Sequence, residues 1–360
     1  MANVLIFSPR EINTNMGGVE RVSNALAKEL SKVGHSVTFL SVDKTNNGEY
    51  EQHITQFFLE QGKAQEQILE IIDRHKINII INQFGLLSYI SRSAIPDDVK
   101  IVSVIHDSYY AMFSRLKLNW LRRWNWKRVI KKMLSSVYFQ SDKVVLFVPE
   151  FKDEYRFFFP KATDDKFVII PNFNSFDNVN VVPKEKNLLW VGRHAEWHKR
   201  TTDMLKIWSR LEDRYPDWSL DILGDGPDGK MVRILQAKLG LKRCFFRGVQ
   251  DPKNYYEKAA FICMTSSFES WGMVLTEGMQ HGCVPLAYDS YTALRYIIRD
   301  GEDGRLITPF DTDEYVRQLA ILMENDVERE RLSKAAIESV KLYDAEKVML
   351  RWIELIESLL

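Results

Sequence analysis

Ser266-Ser267-Phe268-Glu269-Ser270-Trp271-Gly272-Met273-Val274-Leu275-Thr276-Glu277-Gly278-Met279 is the stretch that decides how this chain is read; His281-Gly282-Cys283-Val284-Pro285 follows it. An apolar strand at 261–264 runs through a polar turn into a helix, and Glu269 and Glu277 bracket the helix entrance. Eight residues of helix span roughly 12 Å. Carboxylates that act together on one glycosidic bond sit about 5–9.5 Å apart, so this pair suits two ends of one elongated ligand instead. Between them Met273 and Val274 offer the free backbone N–H groups of a helix start, and Gly272 leaves room for close approach, which favours phosphate. The stretch predicts a sugar at one glutamate, a diphosphate at the helix start and a ribose at the other glutamate.

On either side of it, short apolar runs alternate with helical segments, the pattern of a parallel sheet covered on both faces. Strands are expected at 4–8, 37–41, 77–81, 101–105, 144–148 and 167–170, then at 188–192, 220–223, 245–248, 261–264, 284–287 and 305–307. Segments such as 21–33 and 203–214 carry the 3.6-residue period of helices. The polar, Asn-rich run from Pro171-Asn172 through Pro183 to Lys186 reads as a linker. An α/β fold of two doubly wound halves around a cleft follows, with domains over 1–171 and 172–344. An amphipathic helix over 345–360 is expected to pack back on the first half.

The chain has 360 residues, enough for two cores. Its 49 basic and 49 acidic side chains cancel, which argues against general nucleic-acid binding. Cys244, Cys263 and Cys283 form no disulfide framework or zinc spacing and fit a reducing compartment. The opening apolar run is too short for a signal peptide, and no stretch reaches the length of a membrane span. A cytoplasmic protein is expected, one that meets a membrane only peripherally, from its inner face.

Further motifs fall at strand ends. Asn15-Met16-Gly17-Gly18-Val19 opens a helix after the first strand, where paired glycines let amides approach a phosphate or sugar, or simply make a tight turn. The G-x-G-x-x-G spacing of a nicotinamide site is absent. Gly192-Arg193 ends a strand and Lys199 follows in Glu196-Trp197-His198-Lys199-Arg200; two cations there suit a departing diphosphate, although taken alone they read more simply as a solvated charged loop. His194 and His198 have i,i+4 spacing without the H-E-x-x-H order of a zinc site. His106 closes another strand and reads as a contact to a sugar hydroxyl, a proton relay or a hydrogen-bonded strand end. Gly224-Asp225-Gly226-Pro227 is a turn by default. Asp311-Thr312-Asp313 has the spacing of a divalent-metal site but precedes a helical run, so an N-cap is the better reading.

In their order, Gly17-Gly18, His106, Gly192-Arg193 with Lys199, Gly224-Asp225-Gly226-Pro227 and Glu269 through Glu277 resemble the motifs of the retaining GT-B glycosyltransferases, specifically glycosyltransferase family four. The resemblance covers nearly the whole chain. It implies two facing Rossmann-like domains, an acceptor-side one followed by a nucleotide-sugar donor domain. Arg193 and Lys199 would bind the donor diphosphate, Glu277 the ribose, and Glu269 the transferred sugar or its phosphate. Gly18 would lie near the diphosphate and His106 near the sugar, with no cofactor and no metal. Two departures stand out: Trp271 where the family often has Phe, and Arg200 where it often has Gly.

The expected activity is retaining transfer from a nucleotide-diphosphate sugar, a UDP-sugar, to a glycan or lipid-linked acceptor in cell-envelope polysaccharide or lipopolysaccharide synthesis. A catalytically silent nucleotide-sugar-binding subunit and a GT-B nucleotide-sugar epimerase are the alternatives. The segment 115–132 adds a membrane reading, with eight basic residues, three tryptophans and no acid. Wound as a helix, it gathers Trp126, Val129, Ile130 and Met133 on a packing side and leaves Trp120 and Trp124 among lysines and arginines. That face suits an anionic lipid surface or a solvated basic face.

Overall fold

The computed structural model describes residues 1–12, 18–44, 54–60, 62–115, 119–174, 176, 179 and 182–360. The chain divides into two compact units, Met1–Ser175 with Asp344–Leu360, and Phe176–Tyr343.

In the first unit, the described strands are β1 (Asn3–Arg10), β2 (Ser36–Asp43), β3 (Thr55–Phe58), β4 (Ile79–Asn82), β5 (Lys100–Val104), β6 (Lys143–Leu146) and β7 (Phe167–Ile169). They form one parallel sheet in the order β3-β2-β1-β4-β5-β6-β7. The second unit holds β8 (Glu185–Val191), β9 (Ser219–Leu223), β10 (Cys244–Gly248), β11 (Ala259–Met264), β12 (Val284–Tyr288) and β13 (Arg305–Ile307). These are also parallel, in the order β10-β9-β8-β11-β12-β13. Strand order reverses between β1 and β4 in one sheet and between β8 and β11 in the other. Ligands of such sheets bind outside the carboxyl ends of the strands at these switch points.

The central strands are apolar because helices cover both faces. Every residue of β11 and of β4 is buried. Leu5, Phe7, Ile68, Ile80 and Ile101 belong to one core, and Trp190, Trp208, Trp218, Phe261 and Tyr315 to the other. Burying one such side chain contributes about 1.5–3 kcal/mol. The terminal helix Ala345–Glu357 packs on the helix Gly18–Lys32 of the first unit.

Three elements differ from the sequence reading. β3 was not foreseen: it is a four-residue edge strand paired only with β2, with no buried position to give it a pattern. β4 starts at Ile79 rather than residue 77, because the Ile77 amide closes the preceding helix by donating to the Ile72 carbonyl at 3.0 Å. In the helix Trp120–Gln140 the expected packing side is corrected. Trp126 and Val129 are 40% and 54% exposed, and the buried stripe is Ile130, Leu134 and Tyr138. Before Ile130 the neighbouring aromatics are met by cations, Arg123 over Phe113 at 4.5 Å and Lys127 over Phe157 at 4.1 Å. Residues 116–118 of the basic segment lie outside the described residues.

Candidate active site

In the second unit the site-forming loops leave β8 and β11, which pair side by side at the switch point. Beyond β8, Gly192-Arg193-His194 lies against Gly224-Asp225-Gly226 from the end of β9. The Gly192 amide donates to Leu223, and the His194 amide to Asp225, both at 3.0 Å. A Cβ at Gly224, whose φ is +117°, would stand 2.0 Å from the Gly192 carbonyl oxygen, and one at Gly226 would stand 2.5 Å from that of His194. The glycine turn is therefore a backbone cradle for the Arg193 loop. His194 is buried, stacked on Trp190 at 5.6 Å, with Nε2 3.1 Å from the Gly224 carbonyl. His198 instead bonds the Phe268 carbonyl through Nε2 at 2.8 Å. These separate commitments answer the question of a zinc pair: each ring serves a different backbone. Arg193 itself is exposed, and its guanidinium has no ion-pair partner among the described residues.

Lys199 closes the short helix Glu196–Lys199, and its ammonium bonds the Glu269 carboxylate directly. His198 Nε2 lies 3.6 Å from the same carboxylate oxygen. The side chains of Lys199 and Glu269 keep only 19% and 13% of their surface exposed. Burial alone pushes the Glu269 carboxyl up, but Lys199 and His198 outweigh it and hold it well below the ordinary carboxylate range. Glu269 is thus an ionised acceptor, not a proton donor. The loops are stitched further by the Ser267 amide donating to the His198 carbonyl at 2.6 Å, and by Thr265 Oγ1 donating to the Lys199 and Arg200 carbonyls.

The helix Met273–Gln280 begins at Gly272, whose φ of +98° puts it in the left-handed region. A Cβ there would meet the Tyr291 hydroxyl at 2.5 Å. That hydroxyl donates to the Trp271 carbonyl at 2.9 Å, so Tyr291 fixes the turn and aims the helix start. No side chain caps this helix. The first amides, at Met273 and Val274, are those that an α-helix leaves without intrahelical partners. Both departures from the family pattern now have a structural account. Trp271 is 1% exposed and packs edge-on against Tyr343 at 4.9 Å, so its bulk goes into the core. Arg200 has φ +49°, which explains why a glycine suits this position; here Asp203 and the Phe310 ring hold the arginine in place.

Glu277 differs from its sequence-based placement at the ligand surface. Its side chain is wholly buried and accepts a hydrogen bond from the Tyr256 hydroxyl at 3.0 Å. The physical reason is where the helix starts: the second turn faces inward, while Glu269 stands in the loop before it. Asp311 caps the helix Thr312–Glu324 by accepting from the Glu314 amide at 2.9 Å, as its spacing predicts. Asp313 pairs with Arg210.

In the first unit, Gly17 lies outside the described residues, and Gly18 is the first residue of the helix after β1. His106 follows β5, half-buried, with Nε2 2.5 Å from Gln83 Oε1. Burial pulls its pKa down to about 4. With the amide oxygen accepting, the imidazole donates from Nε2 and keeps Nδ1 as an acceptor. His106 also lines a cavity of about 390 Å³, shared with Asn82, Phe84, Ser103, Lys132 and Met133. Gln83 went unnoticed in the sequence. It immediately follows β4, which runs beside β5, so strand register was the signal that could have found it.

The sequence pattern of the family described as "Glycosyl transferases group 1" matches residues 172–339, and that of "Glycosyltransferase Family 4" matches residues 16–174. Together they run along most of the chain, which belongs to the GT-B glycosyltransferases of this family. An uncharacterized glycosyltransferase of Haemophilus influenzae is 24% identical over 352 residues, covering 93% of this chain and 95% of the relative. The amylovoran biosynthesis glycosyltransferase AmsD of Erwinia amylovora is 24% identical, covering 95% and 97%. In three dimensions the chain matches Anabaena HepE in complex with UDP-glucose, with a TM-score of 0.80, 14% identity, and coverage of 99% and 100%. Among the described residues no helix is long and apolar enough to cross a membrane.

Proposed function

We propose that this chain is a retaining hexosyltransferase that moves a sugar from a UDP-sugar to a hydroxyl of a glycan or lipid-linked acceptor in cell-envelope polysaccharide or lipopolysaccharide synthesis. The observation that carries this reading is the group at the ends of β8 and β11: an exposed Arg193 without an ion-pair partner among the described residues, the Lys199–Glu269 pair, and an uncapped helix start at Met273. AmsD, named for polysaccharide synthesis, and HepE, seen with UDP-glucose, support the acceptor class and the donor.

Negative charge grows on the diphosphate as the bond to the sugar breaks. Arg193, Lys199 and the amides of Met273 and Val274 are preorganised to meet it, the type of stabilisation that dominates many enzymatic accelerations. Glu269, already ionised, accepts from sugar hydroxyls and opposes the positive charge that develops on the ring. Attack comes from the leaving-group face, with the diphosphate taking the acceptor proton. His106, neutral at working pH, accepts from a sugar hydroxyl at Nδ1. Gly17 and Gly18 keep the diphosphate-binding role that the family resemblance implies. Glu277 binds the ribose, for which its side chain must turn from Tyr256. Asp311 and Asp313 are spent on a helix cap and an ion pair, in keeping with a step that needs no metal. The basic helix Trp120–Gln140 docks the protein on anionic lipid from the cytoplasmic side.

A thermal-shift panel of nucleotide sugars tests the donor. A ligand at a hundred times its Kd stabilises by about 2.7 kcal/mol, so one UDP-sugar should raise Tm well above the rest. A flat panel would remove the donor assignment, and binding without turnover on any acceptor would identify a silent subunit.

A further inference from the structure

Trp197 stands apart from the aromatic side chains around it. It sits in the short helix Glu196–Lys199, two residues before the lysine that holds Glu269, and is 59% exposed. Its ring rests on Phe268 at 5.4 Å and on His198 at 5.5 Å. Those two rings are themselves stacked at 4.5 Å with an interplanar angle of 12°, and Phe268 is 8% exposed. The layer beneath Trp197 is pinned twice, by His198 Nε2 donating to the Phe268 carbonyl and by the Ser267 amide donating to the His198 carbonyl. The same two loops thus touch through an aromatic contact and, one or two residues further on, through the Lys199–Glu269 ion pair. The indole N–H of Trp197 bonds no side chain or carbonyl among the described residues.

We propose that Trp197 is a stacking platform for the pyranose ring of the acceptor, so that the acceptor presents a sugar next to the hydroxyl that attacks. A pyranose has an apolar face of C–H groups and a rim of hydroxyls. It matches a fixed aromatic face with one free donor, beside an ionised carboxylate and an ammonium. Trp197 keeps 59% of its surface exposed beside that ion pair, and a tryptophan joins a broad apolar face to one polar N–H. Under the reading above, on which this inference rests, Lys199 serves the donor diphosphate and Glu269 the donor sugar. Trp197, three times as exposed as Lys199, remains for the second sugar.

Saturation-transfer NMR with methyl α- and β-pyranosides of glucose, galactose and mannose, in the presence of UDP, provides the test. The wild type should transfer saturation to the ring C–H protons of at least one glycoside. Trp197→Ala should weaken that glycoside about 3- to 10-fold, Trp197→Phe should restore most of it, and UDP affinity should be the same in all three proteins. Wild type that saturates no pyranoside, or Trp197→Ala indistinguishable from wild type, overturns the proposal. So does a loss of UDP affinity in Trp197→Ala, which would make the indole a nucleobase platform. Failure of UDP to bind wild type at all would instead remove the donor reading.

Discussion

The crevice at the ends of β8 and β11 and the corresponding edge of the first sheet share an architecture and differ in charge. Both hold a titratable group whose pKa lies below its ordinary value: Glu269, where Lys199 and His198 outweigh burial, and His106, where burial does it. The outcome is opposite. Glu269 is depressed by an adjacent lysine and so is locked as an anion. His106, lowered by burial, has the neutral amide of Gln83 for its partner and so is held as an uncharged acceptor. Under the proposed function, one edge manages charge that forms during a reaction and the other holds neutral hydroxyls. What a doubly wound sheet offers at its switch point is a location; the chemistry comes from which loops reach it.

The sharpest way to break this contrast is Arg193→Ala. Removing one preorganised charge-stabilising donor costs about 10²–10³ in rate, and an exposed arginine without an ion-pair partner among the described residues should leave Tm unchanged; near-normal turnover at saturating donor would show that the charged edge is not the reacting one. Glu269→Gln should lower kcat by about 10²-fold with a smaller change in nucleotide affinity, because its contact strengthens along the reaction. Steady-state kinetics beside titration with UDP separate the two effects.

The basic helix sharpens the comparison from outside both edges. Lys127→Glu with Lys131→Glu should weaken co-sedimentation with anionic vesicles at low salt about 30-fold, at roughly 1 kcal/mol for each basic residue, with UDP affinity intact. Wild type that stays in the supernatant would point to a soluble acceptor. Glu277→Gln should weaken UDP about tenfold; a fall in Tm with unchanged affinity would assign this buried carboxylate to anchoring the helix on Tyr256 instead.

The smallest effect is a pH dependence in the first unit. In the unfolded chain the ordinary histidine pKa of 6.5 applies, against about 4 for His106 in the folded one. Between these values the unfolded chain binds the additional proton, so the stabilisation from neutral His106 is complete above pH 6.5 and is lost as pH falls toward 4. His106→Gln should therefore lose less stability than wild type between pH 7 and about 5.5, by about 1 kcal/mol or roughly 2–4 °C in Tm. Parallel Tm–pH curves would show that the imidazole is not held neutral.

The two-sheet architecture was legible in the chain, since buried parallel strands leave apolar runs of fixed length, and the strand-end turns of the candidate site were legible as turns. Gly224 and Gly226 were legible as a turn, but their use as a cradle for the Arg193 loop was not: it depends on a distance between backbones that no local pattern encodes. Trp126 and Val129 followed the period of a packed helix and yet stand exposed, because neighbouring Phe113 and Phe157 are met by Arg123 and Lys127. By itself, then, the sequence determined the elements, their order and the residue types at each strand end. Only the tertiary structure decided that Lys199 closes on Glu269, that Gln83 orients His106, that Trp271 and Glu277 turn inward and that Trp197 turns outward. Periodicity is set by each residue's own backbone, whereas pairing, burial and charge state are set by neighbours far along the chain, as with Lys199 and Glu269, 70 positions apart.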